Sequence, residues 1–203
     1  MIDDLYIYGS RDRHPSWMFR QDHIKDDLTK LAIKYGTDRH PGSKHSYTPY
    51  YYDLFQNKRD SVKKVLEIGA GPGRGLRMWR DFFPNAMIYG ADNDQNWIFK
   101  ETRIEVINCD QSSKKDLMKL TKITGTDFDI VIDDASHKPE DQVLTCLTLM
   151  PLLKKDVIYI IEDVADPTIT EKLDRYDLEI PSLIPKKTRY DDRLIVVRHK
   201  RGK

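Results

Sequence analysis

Two apolar runs in this 203-residue sequence end abruptly in acids. In VIDDASHKPEDQ (131–142), Asp133 and Asp134 close one run and His137 follows three positions after Asp134. In IIED, Glu162 and Asp163 close the other. Asp134, Glu162 and Asp163 form a donor set for a hard, oxygen-liking cation, most simply Mg2+ held at about 2.1 Å. Gathered without a positive charge, three carboxylates would repel one another. A neutral imidazole at His137 can take a proton near pH 7. The alternative is that Ser136 or His137 caps the helix opened by Pro139 and the acids are solvent-facing turn residues.

These groups act together only if the elements beneath them are neighbours. One loop, one helix and one strand fit between Asp134 and Glu162, so FDIVIDD and DVIYIIED should be parallel strands. Adjacent strands lie about 4.8 Å apart, which puts their carboxyl ends within reach of one ion. The rest of the chain has the same rhythm. Strands are expected at VKKVLEIGA, AMIYGAD and IEVINCD, and helices at GRGLRMWRDFF, SKKDLMKLTKI and PEDQVLTCLTLMPLL. NDQNWIFK reads as a short helix, and another helix is expected near Ile169–Tyr176. YDLEIPSLI and DRLIVVRH have no obvious helix between them and suit a hairpin that adds an antiparallel edge. Upstream, Ile24, Leu28, Leu31, Ala32 and Tyr35 have helical spacing that stops at Gly36, and a short helix is expected over Pro49–Gln56. Alternating strands and helices imply a mainly parallel sheet of seven strands, covered on both faces. The expected division is a helical lid over 1–60 and a core over 61–203, forming one compact domain.

The turn after the first strand is LEIGAGPGRG, with glycines at 69, 71, 73 and 75. It lacks the third glycine of a dinucleotide fingerprint, where Arg74 stands, and the Gly-Lys-Ser/Thr of a P-loop. Alternate glycines preceded by Glu67 resemble motif I of the S-adenosylmethionine (SAM) dependent methyltransferases. Gly69, Gly71 and Gly73 let the backbone turn tightly beneath a ligand. Glu67 suits the amino group of a methionine moiety. Asp92, at the end of the second strand, can accept from both ribose hydroxyls, and Asp110, at the end of the third, can meet the adenine edge. Each acid alone could equally cap a helix; three in order at successive strand ends define a nucleoside site. Asp133 either shapes its turn or faces this cofactor.

Composition narrows the class. Lys and Arg total 34 against 33 Asp and Glu, so no global field recruits nucleic acid or an anionic membrane. KKTRYDDR and RHKRGK read as a solvated loop and a frayed end. The two cysteines, Cys109 and Cys146, have no metal-like spacing and suit reduced, buried thiols. The first residues do not form a signal peptide, and no apolar stretch approaches the roughly 20 residues that span a bilayer. A soluble cytoplasmic protein is expected.

KYGTDRHPGSKHSYTPYY, the glycine-loop segment through AMIYGAD, IDDASH and IIEDV together resemble the metal-dependent sugar O-methyltransferases of macrolide biosynthesis, the mycinamicin and tylosin deoxysugar enzymes. The similarity runs from about Lys34 to Val164. It implies a Rossmann-like class I SAM methyltransferase fold. It also implies SAM and Mg2+ as cofactors, a glycoside acceptor such as a deoxyhexose, and neither nucleic acid nor membrane as partner. On the same basis Asp134, Glu162 and Asp163 are metal ligands and His137 is the general base. Thr37, His45, Tyr47 and Tyr51 would help close the SAM pocket; packing and loop hydrogen bonds account for the tyrosines equally well. The chain lacks the long N-terminal auxiliary domain of some relatives, so oligomeric state and acceptor do not carry over. Similar domains also occur within larger glycan-building proteins, including viral ones, where the host cytoplasm would be the location. A catechol or phenol O-methyltransferase shares the metal logic, and the aromatics Trp17, Phe19, Tyr50 and Tyr52 would suit a planar acceptor. A non-catalytic SAM-binding module is the alternative of another class. An RNA methyltransferase fits the balanced charge poorly.

Overall fold

The computed structural model describes residues 26–201. Ile24 and the aromatics Trp17 and Phe19 lie outside them. Helix α1 (Asp27–Tyr35) opens where the Asp26 carboxylate accepts from Thr29 N at 2.6 Å and closes at Gly36, which is left-handed with φ 67°. Helix α2 (Tyr47–Phe55) follows a loop rich in turn formers. The alternating unit then begins: β1 (Lys64–Ile68), α3 (Arg74–Phe82), β2 (Met87–Asp92), β3 (Lys100–Glu101), β4 (Ile104–Asn108), α4 (Lys114–Thr124), β5 (Ile130–Asp133), α5 (Pro139–Leu149), β6 (Ile158–Ile161), α6 (Ile169–Lys172), β7 (Asp177–Glu179) and β8 (Ile195–Arg198). Among the described residues, no helix is long and apolar enough to cross a membrane.

Among the described residues the sheet has eight strands, in the order β3-β4-β2-β1-β5-β6-β8-β7. The five central strands are parallel, and β8 runs antiparallel to both β6 and β7. The expected antiparallel C-terminal edge is therefore present. The eighth strand is β3, two residues long, paired antiparallel with β4. It starts at Lys100, the last residue of NDQNWIFK, where only a 3-10 turn over Gln95–Trp97 precedes it. The late helix is also shorter than its expected span and stops at Lys172, because β7 starts at Asp177.

Strand alternation sorts side chains onto two cores. Val65, Ile130, Ile132, Ile158 and Ile160 pack under α1, α2 and α3, together with Leu28, Tyr47, Tyr51, Phe55 and Trp79. Leu66, Ile68, Val131, Tyr159 and Ile161 pack under α4 and α5, with Leu117, Leu120, Cys146 and Leu149. The segment before residue 60 thus shares its buried face with the strands that follow. Strand order reverses at β1, which has β2 on one side and β5 on the other. Such a switch point leaves a crevice at the carboxyl ends, where open α/β sheets bind ligands.

Candidate active site

The glycine loop crosses this crevice. Gly69 has φ 94°, and a Cβ there would lie 2.0 Å from the backbone oxygen of Asp134. The loop after β1 and the loop after β5 therefore touch, backbone to backbone. Asp134 N donates to Ile68 O at 2.8 Å across the same gap. Gly71 differs: its φ is 46°, and among the described residues a Cβ would meet nothing within 4 Å. Its N–H donates to Asp92 Oδ2 at 2.8 Å, so Asp92 stands against the open side of the loop. Gly73, at φ 79°, lies against the Phe99 ring. Asp110 accepts from Ser112 N and Oγ at 2.9 and 2.7 Å, forming a local turn ahead of α4. Thr37 is buried, and among the described residues its hydroxyl has no hydrogen-bond partner. It lies between Gly36, whose carbonyl accepts from Arg74, and Arg39, which abuts Gly75.

The acids divide by strand parity. Asp133 points to the α4/α5 side, is buried, and accepts from Gln111 and from Tyr159 Oη, the latter at 3.1 Å. Burial pushes its carboxyl up to about 7. Glu67, Asp134 and Glu162 follow the other parity, at the ends of β1, β5 and β6. Glu67 is buried, accepts from Trp79 Nε1 at 2.6 Å, and is pushed up to about 7 by burial despite Arg39 nearby.

A residue missed in the sequence stands among them. Arg39 is 3% exposed. Its Nε donates to both oxygens of Glu162 at 2.9 and 2.7 Å, and its Nη2 donates to Asp134 at 2.6 Å. Nη2 also lies 3.5 Å from Glu67. The positive charge that a carboxylate cluster demands is thus supplied, in part, by the chain itself. The available signal was Gly75 in the first turn of α3: a Cβ there would lie 2.3 Å from Arg39 Nη1 and 2.4 Å from Glu67 Oε1.

Asp134, His137 and Asp163 converge on a different point. They offer one donor atom each within 4.8 Å of one another. His137 Nε2 lies 3.1 Å from Asp134 Oδ1, and its Nδ1 lies 3.6 Å from Asp163 Oδ2. The hydrogen bond with Asp134 raises the imidazole above its ordinary value against the opposing effect of burial. His137 and Asp163 both hold left-handed backbone, at φ 57° and 52°. Strain of this kind persists where the surroundings over-determine a residue, and it collects at functional sites. Glu162 does not join this trio, since its carboxylate faces Arg39 and Tyr51 Oη (2.7 Å). Tyr47 Oη donates to Asp163 at 2.6 Å, and His45, stacked on Tyr47, lies 3.5 Å from the same oxygen. His45, Tyr47 and Tyr51 therefore have carboxylates as their partners.

A glycine loop facing a strand-end carboxylate across a β1 switch point defines a class I SAM-methyltransferase fold, here with an acidic and histidine cluster beside it. The chain is 37% identical to mycinamicin VI 2''-O-methyltransferase of Micromonospora griseorubida over 146 residues, which is 68% of this chain and 36% of that protein. It is 37% identical to demethylmacrocin O-methyltransferase of Streptomyces fradiae over 167 residues, 79% of this chain and 42% of that one. The MycE methyltransferase of mycinamycin biosynthesis, solved with Mg, SAH and mycinamycin VI, superposes with a TM-score of 0.71 at 28% identity, covering 87% of this chain and 54% of that one. A caffeoyl-CoA O-methyltransferase-like structure from Staphylococcus aureus, at 14% identity and TM-score 0.59, shares the fold alone. No family model matches the chain. The chain belongs to the deoxysugar O-methyltransferase family of these macrolide and glycoside enzymes. It spans less than half the length of the two curated relatives.

Proposed function

We propose that this chain transfers a methyl group from SAM to a hydroxyl of a sugar in a glycan or glycoside, with a divalent cation, most simply Mg2+. The observation that carries this reading is the Asp134–His137–Asp163 trio beside the glycine loop, within 4.8 Å of mutual reach. The SAM pocket fits on two features: the open cradle at Gly71 against Asp92, and the unpartnered buried hydroxyl of Thr37. The metal fits at Asp134 and Asp163, two hard oxygen donors that already face one another across His137. When bound, SAM supplies an electrophilic methyl and the cation makes an acceptor hydroxyl more acidic.

The chain's own residues do the rest. With Nε2–H donating to Asp134, the lone pair of His137 is on Nδ1, so that nitrogen takes the acceptor's proton. Asp134 fixes the ring, and Tyr47 and His45 fix Asp163. Alignment then supplies much of the rate. The segment before residue 60 closes the pocket, with Thr37 on its cofactor side. The partner is a sugar or glycoside, and neither nucleic acid nor membrane; the chain itself works alone or as a domain of a larger glycan-synthesis protein. A reducing, cytoplasmic setting suits the two buried free thiols, Cys109 and Cys146.

The test is transfer of labelled methyl from SAM to a panel of glycosides and catechols, with Mg2+ or with EDTA. Glycoside methylation that EDTA abolishes is expected. His137→Ala should lose about 10²- to 10⁴-fold in turnover while retaining SAM binding. Full activity in EDTA would remove the metal from the scheme, and methylation of catechols alone would replace the acceptor.

A further inference from the structure

We propose that Arg39 is a resident cation of the acid cluster that competes with the divalent metal for Glu162 and Asp134. This rests on the divalent-cation part of the proposed function. A carboxylate has about four lone-pair sites. On Glu162, three are taken: two by Arg39 Nε and one by Tyr51 Oη. Asp134 divides its oxygens between Arg39 Nη2 and His137 Nε2. One site is left on Glu162, so a metal at Asp134 and Asp163 draws both Glu162 oxygens in only when the guanidinium lets go.

The geometry shows which part has to move. The Arg39 carbonyl accepts from Tyr47 N and Thr48 N at 2.9 and 3.0 Å, which pins the backbone to the start of α2. The side chain alone is the mobile part, with its guanidinium carbon 6.0 Å from the centre of the Trp79 ring. Gly75 leaves the space it occupies. Without Arg39 the acids would stand uncompensated, and the metal-free protein would lose the cation that holds the ends of β1, β5 and β6 together. Arg39 is a positioning residue that keeps the empty site folded and weakens metal binding in exchange.

Removing the positive charge should make the cluster a stronger cation site. Mg2+ is titrated calorimetrically into the EDTA-stripped wild type, Arg39→Met and Arg39→Lys, without SAM or acceptor, and Tm is measured with and without Mg2+. The expected result is Mg2+ affinity about 10-fold tighter in Arg39→Met, a lower metal-free Tm, and a larger Mg2+-induced rise in Tm than in the wild type. Arg39→Lys keeps the charge but lacks the planar fork whose separate nitrogens serve Glu162 and Asp134, so its affinity should rise a few-fold; it carries the test if the methionine variant does not fold. Affinity that is unchanged or weaker in the folded variants overturns the proposal, as does the absence of Mg2+ binding in every protein tested. A purely structural ion pair would lower Tm without tightening Mg2+. Methyl transfer enters neither readout, so an acceptor panel that fails leaves this result separate.

Discussion

At the scale of single residues, the site is a contest over lone pairs. Tyr47 and Tyr51 lie one helical turn apart on α2, and each donates to a different acid, Asp163 and Glu162. Both rings are fully buried, so each hydroxyl is the polar end of a packed side chain. Removing one leaves a buried carboxylate oxygen short of a donor, which costs about 1–3 kcal/mol. Tyr51→Phe should therefore lower chemical-denaturation stability by that amount. Tyr47→Phe should in addition reduce turnover, because it frees Asp163 beside His137; equal kcat in the two variants would separate Asp163 orientation from catalysis.

At the scale of elements, the loops after β1 and β5 meet beside the crevice without side chains between them. Gly69 is the contact point, and only glycine accepts both its φ of 94° and the 2.0 Å approach of Asp134 O. Gly69→Ala should cost more than about 3 kcal/mol or prevent folding, since the loop after β5 has to move away. A folded Gly69→Ala protein with wild-type Tm would refute the close approach. Gly71→Ala makes the contrast: with open space at its Cβ, the φ of 46° is the main penalty, about 1 kcal/mol. Its larger effect should appear as weaker SAM binding measured by calorimetry.

At the scale of the whole molecule, one histidine links the loop between α1 and α2 to pH. His40 is half-buried, and Gly42 N donates to its Nδ1 at 3.2 Å, which requires that nitrogen to be unprotonated. Burial, aided by Lys187, lowers the imidazole from 6.5 to about 4. The folded state thus binds fewer protons than the unfolded chain between those values. The contribution of His40 to stability is complete above about pH 6.5 and is lost as pH falls through about 4. Partial exposure limits it to about 1–2 kcal/mol. His40→Asn keeps an acceptor and cannot titrate, so its stability should fall less than that of the wild type between pH 6.5 and 4. Parallel curves for the two proteins would show that His40 carries no such linkage.

The alternation of apolar runs and helical periods determined the parallel sheet, its order of elements and the antiparallel finish, because those patterns are set by which face each residue buries. The glycine spacing determined where a ligand could lie, and the strand-end acids marked the edge on which chemistry could occur. Two-residue β3 was invisible, since its pairing partner rather than its own sequence makes it a strand. Tertiary structure alone decided which acids share a point. Strand parity put Asp133 on the face opposite Asp134, and a left-handed turn at Asp163 brought it beside His137. It also decided the partner of Glu162, because a guanidinium 123 positions away in the chain reaches it only once α1 and α2 have packed on the sheet. Sequence spacing reports neighbours along the chain, whereas charge compensation is settled by neighbours in space.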